Sequence, residues 1–378
     1  MRNKLKQEAQ AVMEEAKRCL YCVEAPCASA CPSGVRPGQF IRHLKCGDLK
    51  SAKKVIMDAN SLGGVCGYVC PSEELCQSRC TREKIDRSVL IRELQKYVCD
   101  NAPYKAPRTA RTGKKAAVVG AGPAGISCAA VLARSGVDVV VYDSSDEAGG
   151  LIASEIPGYR VPKTVLKRDI RESIGEGAEF ALGESLEADD IKILCERYDA
   201  VFIAAGLAAD RHTGIADGDI SKHVLTSSEF LRRFGGENPG SVFGTVCVIG
   251  GGDSAVDVAE TALRNGADRS IIVYRRSREE MPATDESLLE AVENGAEILY
   301  DTSLTGVQAG SPVNASFIQN KLGAPGNDGR RSFEAIQGSD FFMRCDLVVF
   351  ALGKTEDEGI RDFCVKNSAI RADSQETV

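Results

Sequence analysis

Ala116-Ala-Val-Val-Gly120-Ala-Gly122-Pro-Ala-Gly125 is an apolar segment that runs directly into a GxGxxG turn. A turn of this kind, between a strand and a helix, is the phosphate-binding start of a βαβ nucleotide unit. A helical pattern over 126–135, a second apolar run over 137–142 and an acid, Asp143, follow in the expected order. We therefore predict a doubly wound α/β domain whose helix N-terminus faces the pyrophosphate of a dinucleotide.

Each glycine of this turn has its own physical role. Gly120 permits the tight turn, Gly122 lets pyrophosphate approach the backbone, and Gly125 allows the helix to pack closely on the strand. Asp143 lies about twenty residues beyond the glycines, where a carboxylate binds ribose. The predicted contacts of this first site are Gly120, Gly122, Pro123, Ala124, Gly125 and Asp143.

The same unit recurs downstream, which indicates an internal duplication. The segment 245–255 repeats the strand and glycine turn, a helix continues to about residue 265, and a strand covers 270–274. Arginines replace the acid at the end of this strand, and they favour the 2′-phosphate of NADPH, although a solvated strand end would also tolerate them. The predicted contacts of this second site are Gly250, Gly252, Asp253, Ser254, Ala255, Arg275 and Arg276.

The region before the first glycine turn is rich in cysteine. It contains Cys19-x2-Cys22-x4-Cys27-x3-Cys31-Pro32 and Cys66-x3-Cys70-Pro71-x4-Cys76-x3-Cys80. Eight thiolates suffice for two cubane iron–sulfur clusters, and the Cys-Pro endings are typical of two-cluster ferredoxins. Structural zinc and disulfides are the alternatives, but zinc sites usually separate their CxxC pairs more widely and disulfides need an oxidising compartment.

The cysteine-rich region also has helical periodicity. Apolar residues recur at helical spacing before the first cysteine run, between the two runs, and over 88–99. Gln95 lies on the apolar face of this last predicted helix. It is either a packed amide bonded to the backbone or the non-cysteine ligand of a cluster.

Composition restricts the partners and the compartment. The chain has 378 residues, a formal net charge of −7 and a pI near 5.3, which argue against a nucleic-acid partner. No apolar run is long enough for a membrane span, and the charged N-terminus lacks the core of a signal peptide, so we expect a cytoplasmic protein. A Pro-containing stretch, 101–115, which includes the basic run Arg108, Arg111, Lys114 and Lys115, is predicted to be a solvated linker.

Two nucleotide units and a cysteine-rich region together suggest an electron-transfer chain. NADPH gives up a hydride, which carries two electrons, whereas an iron–sulfur cluster accepts one electron, and a flavin handles both. The first unit, which continues to Gly149-Gly150, is therefore interpreted as an FAD site.

Several motifs together resemble one flavoprotein superfamily. They are the two cysteine runs, Gly149-Gly150-Leu, Ile156-Pro157-x2-Arg160-x-Pro162, and Tyr274-Arg-Arg-Ser-x3-Glu280-Met-Pro282-Ala. These motifs resemble the glutamate synthase small subunit, the electron-input half of dihydropyrimidine dehydrogenase and the large subunit of NADH-dependent ferredoxin:NADP reductase. The resemblance runs from about residue 17 to 354, and the N-terminal segment is most similar to the bacterial dihydropyrimidine dehydrogenase flavoprotein subunit.

The resemblance implies a domain order and additional cofactor contacts. An all-helical two-cluster domain would span 1–108, an FAD domain 109–210 and 351–378, and an inserted NAD(P)H domain 211–350. Further FAD contacts would be Gly149, Gly150, Leu151 and Arg160. One [4Fe-4S] cluster would be bound by Cys19, Cys22, Cys27 and Cys80, and the other by Cys31, Cys70, Cys76 and Gln95. Cys66 as a ligand in place of Gln95 is the open alternative.

The resemblance also implies a function. The chain would oxidise NAD(P)H, pass the hydride to FAD and deliver single electrons through two clusters to a partner subunit that carries the organic-substrate site. That partner is expected to belong to a dihydropyrimidine dehydrogenase, with a glutamate synthase or a ferredoxin:NADP reductase as the alternative. Direct hydride transfer needs alignment and no side-chain acid, so no catalytic residue is assigned. A non-catalytic electron-carrier or assembly module is the second alternative.

The C-terminal end carries one further expectation. Members of the superfamily continue past the strand at 347–352 to a segment that returns to the FAD domain, and this sequence ends at Val378 without it. We expect that the sequence is a fragment, or that a partner supplies the missing edge of the FAD-domain sheet. We also expect that the chain by itself retains FAD weakly.

Overall fold

The computed structural model describes residues 2–207, 209–211, 222–236, 239–326 and 331–366. These residues form two compact units. The first contains Met1–Ala153, Tyr159–Gly206 and Glu358–Val378, and the second contains Ser154–Gly158 and Leu207–Asp357. The domain boundaries expected from the sequence stay predictions, and part of the expected C-terminal FAD segment, 367–378, lies outside the described residues.

The N-terminal part of the first unit is helical, as the sequence predicts. Phe40, Leu44, Ile56 and Leu94 are almost completely buried in its apolar core. Asp48 caps one of the helices by accepting a hydrogen bond from the Ser51 backbone N–H at 3.0 Å. The helices are α1 (Arg2–Lys17), α2 (Pro26–Ser29), α3 (Pro37–Lys45), α4 (Leu49–Ala59), α5 (Gly63–Val69) and α6 (Ile91–Asn101).

A parallel four-stranded sheet completes the first unit. Its strand order is β3-β2-β1-β4, so the strand before the first glycine turn lies in the interior of the sheet. The alternating elements are β1 (Lys115–Val119), α7 (Pro123–Arg134), β2 (Asp138–Asp143), α8 (Leu151–Ser154), α9 (Lys163–Ile174), β3 (Ala178–Leu182), α10 (Ala188–Arg197) and β4 (Ala200–Ile203). This parallel sheet with alternating strands and helices is of the predicted doubly wound type.

The stretch predicted to be a solvated linker is exposed but is also bonded to the first unit. The backbone N–H of Thr109 donates to the Arg134 carbonyl at 3.0 Å, and that of Ala106 donates to the Glu172 carbonyl at 3.2 Å. These bonds satisfy backbone groups and attach the segment to the ends of α7 and α9.

The second unit has a five-stranded parallel sheet in the order β6-β14-β7-β8-β9. The strand before the second glycine turn is again interior, and Val246 and Val248 are fully buried. Its elements are β5 (Ala209–Asp210), β6 (Val224–Thr226), α11 (Ser227–Phe234), β7 (Thr245–Ile249), α12 (Asp253–Arg264), β8 (Arg269–Val273), α13 (Asp285–Glu293), β9 (Glu297–Leu299), β10 (Thr302–Gln308), β11 (Val313–Pro325), β12 (Arg331–Ala335), β13 (Phe341–Cys345), β14 (Leu347–Phe350) and β15 (Lys354–Thr355).

The second unit also contains an antiparallel sheet that the sequence reasoning did not predict. β11 pairs with β10, β12 and β13, all in antiparallel register. This sheet lies between β9 and β14 in the chain, and its residues alternate between buried and exposed only in part. The prediction of a helical domain followed by two Rossmann-like sheets is confirmed, and the antiparallel insertion is an addition to it.

The last described helix, α14 (Glu358–Lys366), belongs to the first unit. Phe363 and Cys364 pack there in one apolar cluster with Ala117 of β1 and Ile191 of α10. Among the residues that the structure describes, no helix is both long and apolar enough to span a bilayer.

Candidate functional site

Four predicted cluster ligands line one cavity in the helical part of the first unit. They are contributed by the segment after α1, by α2 and by the turn that precedes the 3₁₀ segment Thr81–Lys84. Tyr21 and Ala25 adopt positive φ angles of 52° and 39°, which turn the chain sharply between the cysteines. The four thiols that share this cavity are those of Cys19, Cys22, Cys27 and Cys80.

The remaining predicted cysteine ligands, Cys31, Cys70 and Cys76, lie near one another. Burial, with the nearby Cys66 and Cys31 thiols, raises the pKa of Cys70 to about 11. Burial also raises the pKa of Cys76 to about 12, with further contributions from Cys70 and Cys31. These thiols are therefore protonated at neutral pH without metal, and binding iron would release protons.

Gln95 and Cys66, the alternative fourth ligands, both border the N-terminal part of α5. Gln95 is 8% exposed, and its Nε2 donates a hydrogen bond to the Gly63 carbonyl oxygen at 2.7 Å. A bond from this residue to iron would therefore use Oε1. The Cys66 thiol accepts a hydrogen bond from Asn60 Nδ2 at 3.1 Å. Assignment of Gln95 as the ligand stays a prediction.

The donor set fits iron–sulfur clusters. Soft thiolates are the ligands that such clusters take from proteins. Within the described ranges, no three Cys, His, Asp or Glu side chains are close enough together to hold a single metal ion. In a cubane each thiolate binds its own iron atom, so the ligands surround the cluster and do not converge on one point. Four of the predicted cysteine ligands line one cavity, as such a cluster requires.

The first glycine turn forms a cradle with Gly149 and Gly150. The Gly149 backbone N–H donates to the Ala121 carbonyl at 2.8 Å, and a methyl group at Gly150 would lie 2.8 Å from the Gly122 Cα. Gly122 is the N-cap of α7, so the first backbone N–H groups of that helix are directed at the cradle. The two predicted glycine motifs are thus brought together where a pyrophosphate would bind.

Asp143 supports this cradle in addition to its predicted role at the ribose. Its Oδ2 accepts a hydrogen bond from the Ala121 N–H at 2.6 Å, and its Oδ1 accepts one from the Ser145 N–H at 2.8 Å. These bonds hold the glycine turn against the end of β2. A ribose hydroxyl that bonds to Asp143 would meet a carboxylate that these two hydrogen bonds already orient.

The other predicted FAD contacts lie close to the cradle in the chain. Pro123 and Ala124 form the first turn of α7, and the proline suits a position where no intrahelical N–H is needed. Leu151 begins α8 and is 39% exposed, while Arg160 precedes α9 by three residues. Their contact with FAD stays a prediction.

The second glycine turn opens onto a cleft of about 600 Å³ in the second unit. Five of the predicted contacts line this cleft, and their contact with NAD(P)H stays a prediction: Gly250, Gly252, Ser254, Arg275 and Arg276. Two other predicted contacts, Asp253 and Ala255, have packing roles next to it. The Asp253 Oδ1 accepts a hydrogen bond from the Thr284 N–H at 3.2 Å, and Ala255 is fully buried.

Both arginines of the cleft lie over one aromatic ring. The guanidinium carbons of Arg275 and Arg276 are 5.2 and 5.4 Å from the centroid of Phe333, on β12. The Arg276 Nε also donates to the Arg331 carbonyl at 2.7 Å. Two like charges on one ring repel each other, and a phosphate dianion between them would remove that repulsion.

Several cleft residues were not predicted from the sequence. Phe333 lies 58 positions after Arg275 in a polar segment, so no local pattern pointed to it. Leu352 and Gly353 are the exceptions, because they stand at the end of the apolar strand that the sequence indicates at 347–352. The unpredicted lining residues include Arg211, Thr302, Ser303, Leu304 and Phe333.

Two family models match the chain. One, described as dihydropyrimidine dehydrogenase domain II with a 4Fe-4S cluster, matches residues 2–106. The other, described as pyridine nucleotide-disulphide oxidoreductase, matches residues 114–375. The boundary between the two matches falls within the exposed stretch 101–115.

Curated relatives match most of the chain. The glutamate synthase [NADPH] small chain of Escherichia coli is 32% identical over 362 residues, which are 90% of this chain and 76% of the relative. The NAD-dependent dihydropyrimidine dehydrogenase subunit PreT of Salmonella typhimurium is 34% identical over 296 residues, 76% of this chain and 70% of the relative. AegA of Escherichia coli is 33% identical over 370 residues, 91% of this chain, and the chain spans only about half (55%) of its length.

A solved structure has a similar fold. Mycobacterium tuberculosis FprA in complex with NADPH aligns with a TM-score of 0.56 at 18% identity, covering 69% of this chain and 74% of FprA. At this identity the likeness concerns the fold alone.

Proposed function

The chain belongs to the pyridine nucleotide-disulphide oxidoreductase family and carries the 4Fe-4S domain of dihydropyrimidine dehydrogenase type, and on this premise we propose that it is an electron-input unit. Membership confirms the predicted enzyme class, an NAD(P)H-dependent oxidoreductase, and the predicted cofactor classes, FAD, NAD(P)H and iron–sulfur clusters. In the proposed function the chain takes a hydride from NADPH and delivers single electrons to a partner.

One observation carries this proposal. The cysteine sets and the first glycine cradle belong to the same compact unit, and buried polar contacts join the helical part to the sheet. Lys53 of α4 pairs with Glu172 of α9 at 2.6 Å, and the Lys53 side chain is completely buried. A flavin in the cradle and clusters at the cysteines would therefore be held by one packed body, as electron transfer over short distances requires.

When bound, FAD supplies the step between two-electron and one-electron chemistry. The residues of this chain supply position and charge. The N-terminus of α7 and the glycine cradle hold the pyrophosphate, and Asp143 orients the turn. Arg275 and Arg276 select the 2′-phosphate, so we propose NADPH as the preferred donor, with NADH as the weaker one.

The two clusters are proposed to be [4Fe-4S] cubanes with the ligand sets implied by the resemblance. The first is held by Cys19, Cys22, Cys27 and Cys80. This assignment is supported by the cavity that all four thiols line. The second is held by Cys31, Cys70, Cys76 and Gln95. The chain is proposed to work in the cytoplasm, where cysteines are kept reduced, and none of its cysteines forms a disulfide among the residues that the structure describes.

The acceptor is proposed to be a separate catalytic subunit with the organic-substrate site. A subunit of dihydropyrimidine dehydrogenase type is favoured by the match of residues 2–106 and by the similarity to PreT. A glutamate synthase large subunit is the alternative, supported by the similarity to the small chain of that enzyme. Mixing the reduced chain with each of the two subunits, and measuring uracil reduction and glutamate formation, distinguishes them.

The proposed function is tested by dye reduction. The purified chain, supplied with FAD under anaerobic conditions, is expected to transfer electrons from NADPH to an artificial one-electron dye. Failure with both NADPH and NADH, despite bound FAD and iron, would contradict the proposal and favour a non-catalytic electron-carrier module.

A further inference from the structure

Asp169 is a completely buried carboxylate that joins the two halves of the first unit. It lies on α9, at 0% exposure, and its Oδ2 accepts a hydrogen bond from the Val65 backbone N–H at 2.9 Å. Gly64 lies against the same carboxylate, and a side chain on Gly64 would collide with it. One acidic side chain therefore holds the first turn of α5.

That turn is also the one that holds the alternative ligands of the second cluster. The Gly63 carbonyl accepts the hydrogen bond from Gln95 Nε2 at 2.7 Å, while the Val65 N–H, two residues further along the same turn, bonds to Asp169. Cys66 follows at once in the chain. A displacement of this turn would thus move Gln95 and Cys66 together.

The helix that carries Asp169, α9, also contacts the FAD cradle. Leu166 lies one turn before Asp169 on α9, and a side chain on Gly149 would collide with it. Gly149 in turn is bonded to Ala121 of the glycine turn. The helix α9 therefore contacts the cradle through Leu166 and the α5 turn through Asp169, one helical turn later.

The charges around Asp169 do not explain it as an ordinary ion pair. Arg168 Nε is 3.7 Å from its Oδ1, beyond hydrogen-bond distance, and Arg168 Nη1 is bonded to Asp100 at 2.9 Å. The buried Lys53 is paired with Glu172, and Oδ1 of Asp169 is buried without a hydrogen-bond partner. Burial is the dominant effect and raises the pKa of Asp169 to about 6. The hydrogen bond that holds this carboxylate to α5 is the one from the Val65 backbone N–H.

We infer that Asp169 is a positioning residue for electron transfer, which sets the second cluster site relative to the FAD cradle through the first turn of α5. This inference rests on the proposed function. Glu172, one turn further along α9, joins the same two halves through Lys53 but does not touch the α5 turn. It is therefore the matched control for general docking of the helical part.

The test compares Asp169→Asn with Glu172→Gln in the full chain. Asparagine has the shape of aspartate and can still accept the hydrogen bond from Val65, but it is neutral and replaces the other carboxylate oxygen with an NH₂ donor against Gly64. After anaerobic reconstitution, low-temperature EPR and a redox titration of both variants are measured, together with hydrogen–deuterium exchange of the peptide that contains α5.

The expected result for Asp169→Asn is a shift in the EPR spectrum and midpoint potential of one cluster, an unchanged second cluster, and faster exchange in the α5 peptide. Glu172→Gln is expected to leave both cluster signals and the α5 exchange as in the unmodified chain, with a lower melting temperature. Unchanged cluster signals in Asp169→Asn, or equal changes in both variants, would overturn the inference. Absence of acid-labile sulfide from the unmodified chain would instead refute the proposed function.

Discussion

Gly150 lies directly against Gly122, so that a methyl group at Gly150 would stand 2.8 Å from the Gly122 Cα. Gly150 also has a positive φ of 55°, which glycine adopts freely and alanine adopts at a cost of about 1–2 kcal/mol. The contact joins two glycine motifs that are nearly thirty residues apart in the chain. The two motifs therefore form one continuous backbone surface, on which Gly150 has no room for a side chain.

The substitution Gly150→Ala is expected to weaken FAD binding about tenfold or more, because the methyl group forces the two glycine loops apart and each 1.4 kcal/mol is a factor of ten in Kd. Fluorescence titration with FAD measures the effect. Gly34→Ala is the matched control, since Gly34 has a φ of 72° but no atom within 4 Å of the added methyl group. An unchanged Kd for Gly150→Ala would show that FAD does not use this cradle.

The pair of arginines on Phe333 predicts the nucleotide preference. Arg275→Ala and Arg276→Ala are each expected to raise the KM for NADPH about tenfold or more, since a charge-assisted hydrogen bond contributes about 1.5–3 kcal/mol, with little effect on the KM for NADH. Phe333→Ala is expected to raise the KM for NADPH about two- to fivefold, because about 0.5–1 kcal/mol of cation–π interaction is lost. Phe342→Ala, at a side chain that is 70% exposed, is the control. Equal changes for NADPH and NADH would contradict this account.

The cavity shared by four thiols predicts a loss of iron on substitution. The full chain is expected to bind about eight iron atoms, and Cys22→Ala about four, because one cubane loses a ligand. Iron and acid-labile sulfide analysis after anaerobic reconstitution measures this. Cys46→Ala removes an exposed thiol outside the predicted ligand sets and should retain all the iron. A full iron content in Cys22→Ala would remove this residue from the ligand set.

The two alternatives for the fourth ligand predict opposite results. If Gln95 binds the second cluster, Gln95→Ala alters the EPR spectrum of one cluster, while Cys66→Ala leaves both spectra in place. Gln95→Ala is also expected to destabilise the chain by about 1–3 kcal/mol, because the Gly63 carbonyl loses its buried donor. The reverse pattern, with the EPR change in Cys66→Ala, would assign the ligand to Cys66.

The parts of this fold that were predicted from the sequence depend on local patterns. The glycine turns, the strands before them and the cysteine runs each lie within about thirty residues, so spacing and periodicity suffice to interpret them. The two family models that match the chain and the parallel sheets of the structure confirm this interpretation. The arginines at the end of β8 were also found in this way, and they do line the cleft.

The parts that were missed depend on contacts between distant residues. Phe333 reaches the arginines only because β12 pairs with β11 in an insertion whose sequence is polar and weakly alternating. Asp169 stands in an amphipathic helix among charged residues, and its partner, Val65, is 104 positions away. Such an aspartate is indistinguishable in sequence from one on a solvated helix face.

The central claim is that electrons from NADPH pass through a flavin to iron–sulfur clusters within this chain. The most direct measurement is an anaerobic titration of the chain, reconstituted with iron and sulfide and supplied with FAD, in which NADPH is added stepwise and flavin absorbance and low-temperature EPR are recorded together. The account predicts bleaching of the flavin followed by the EPR signal of at least one reduced cluster. Purified protein that contains zinc and no acid-labile sulfide, or bleaching of the flavin without any cluster signal, would contradict it.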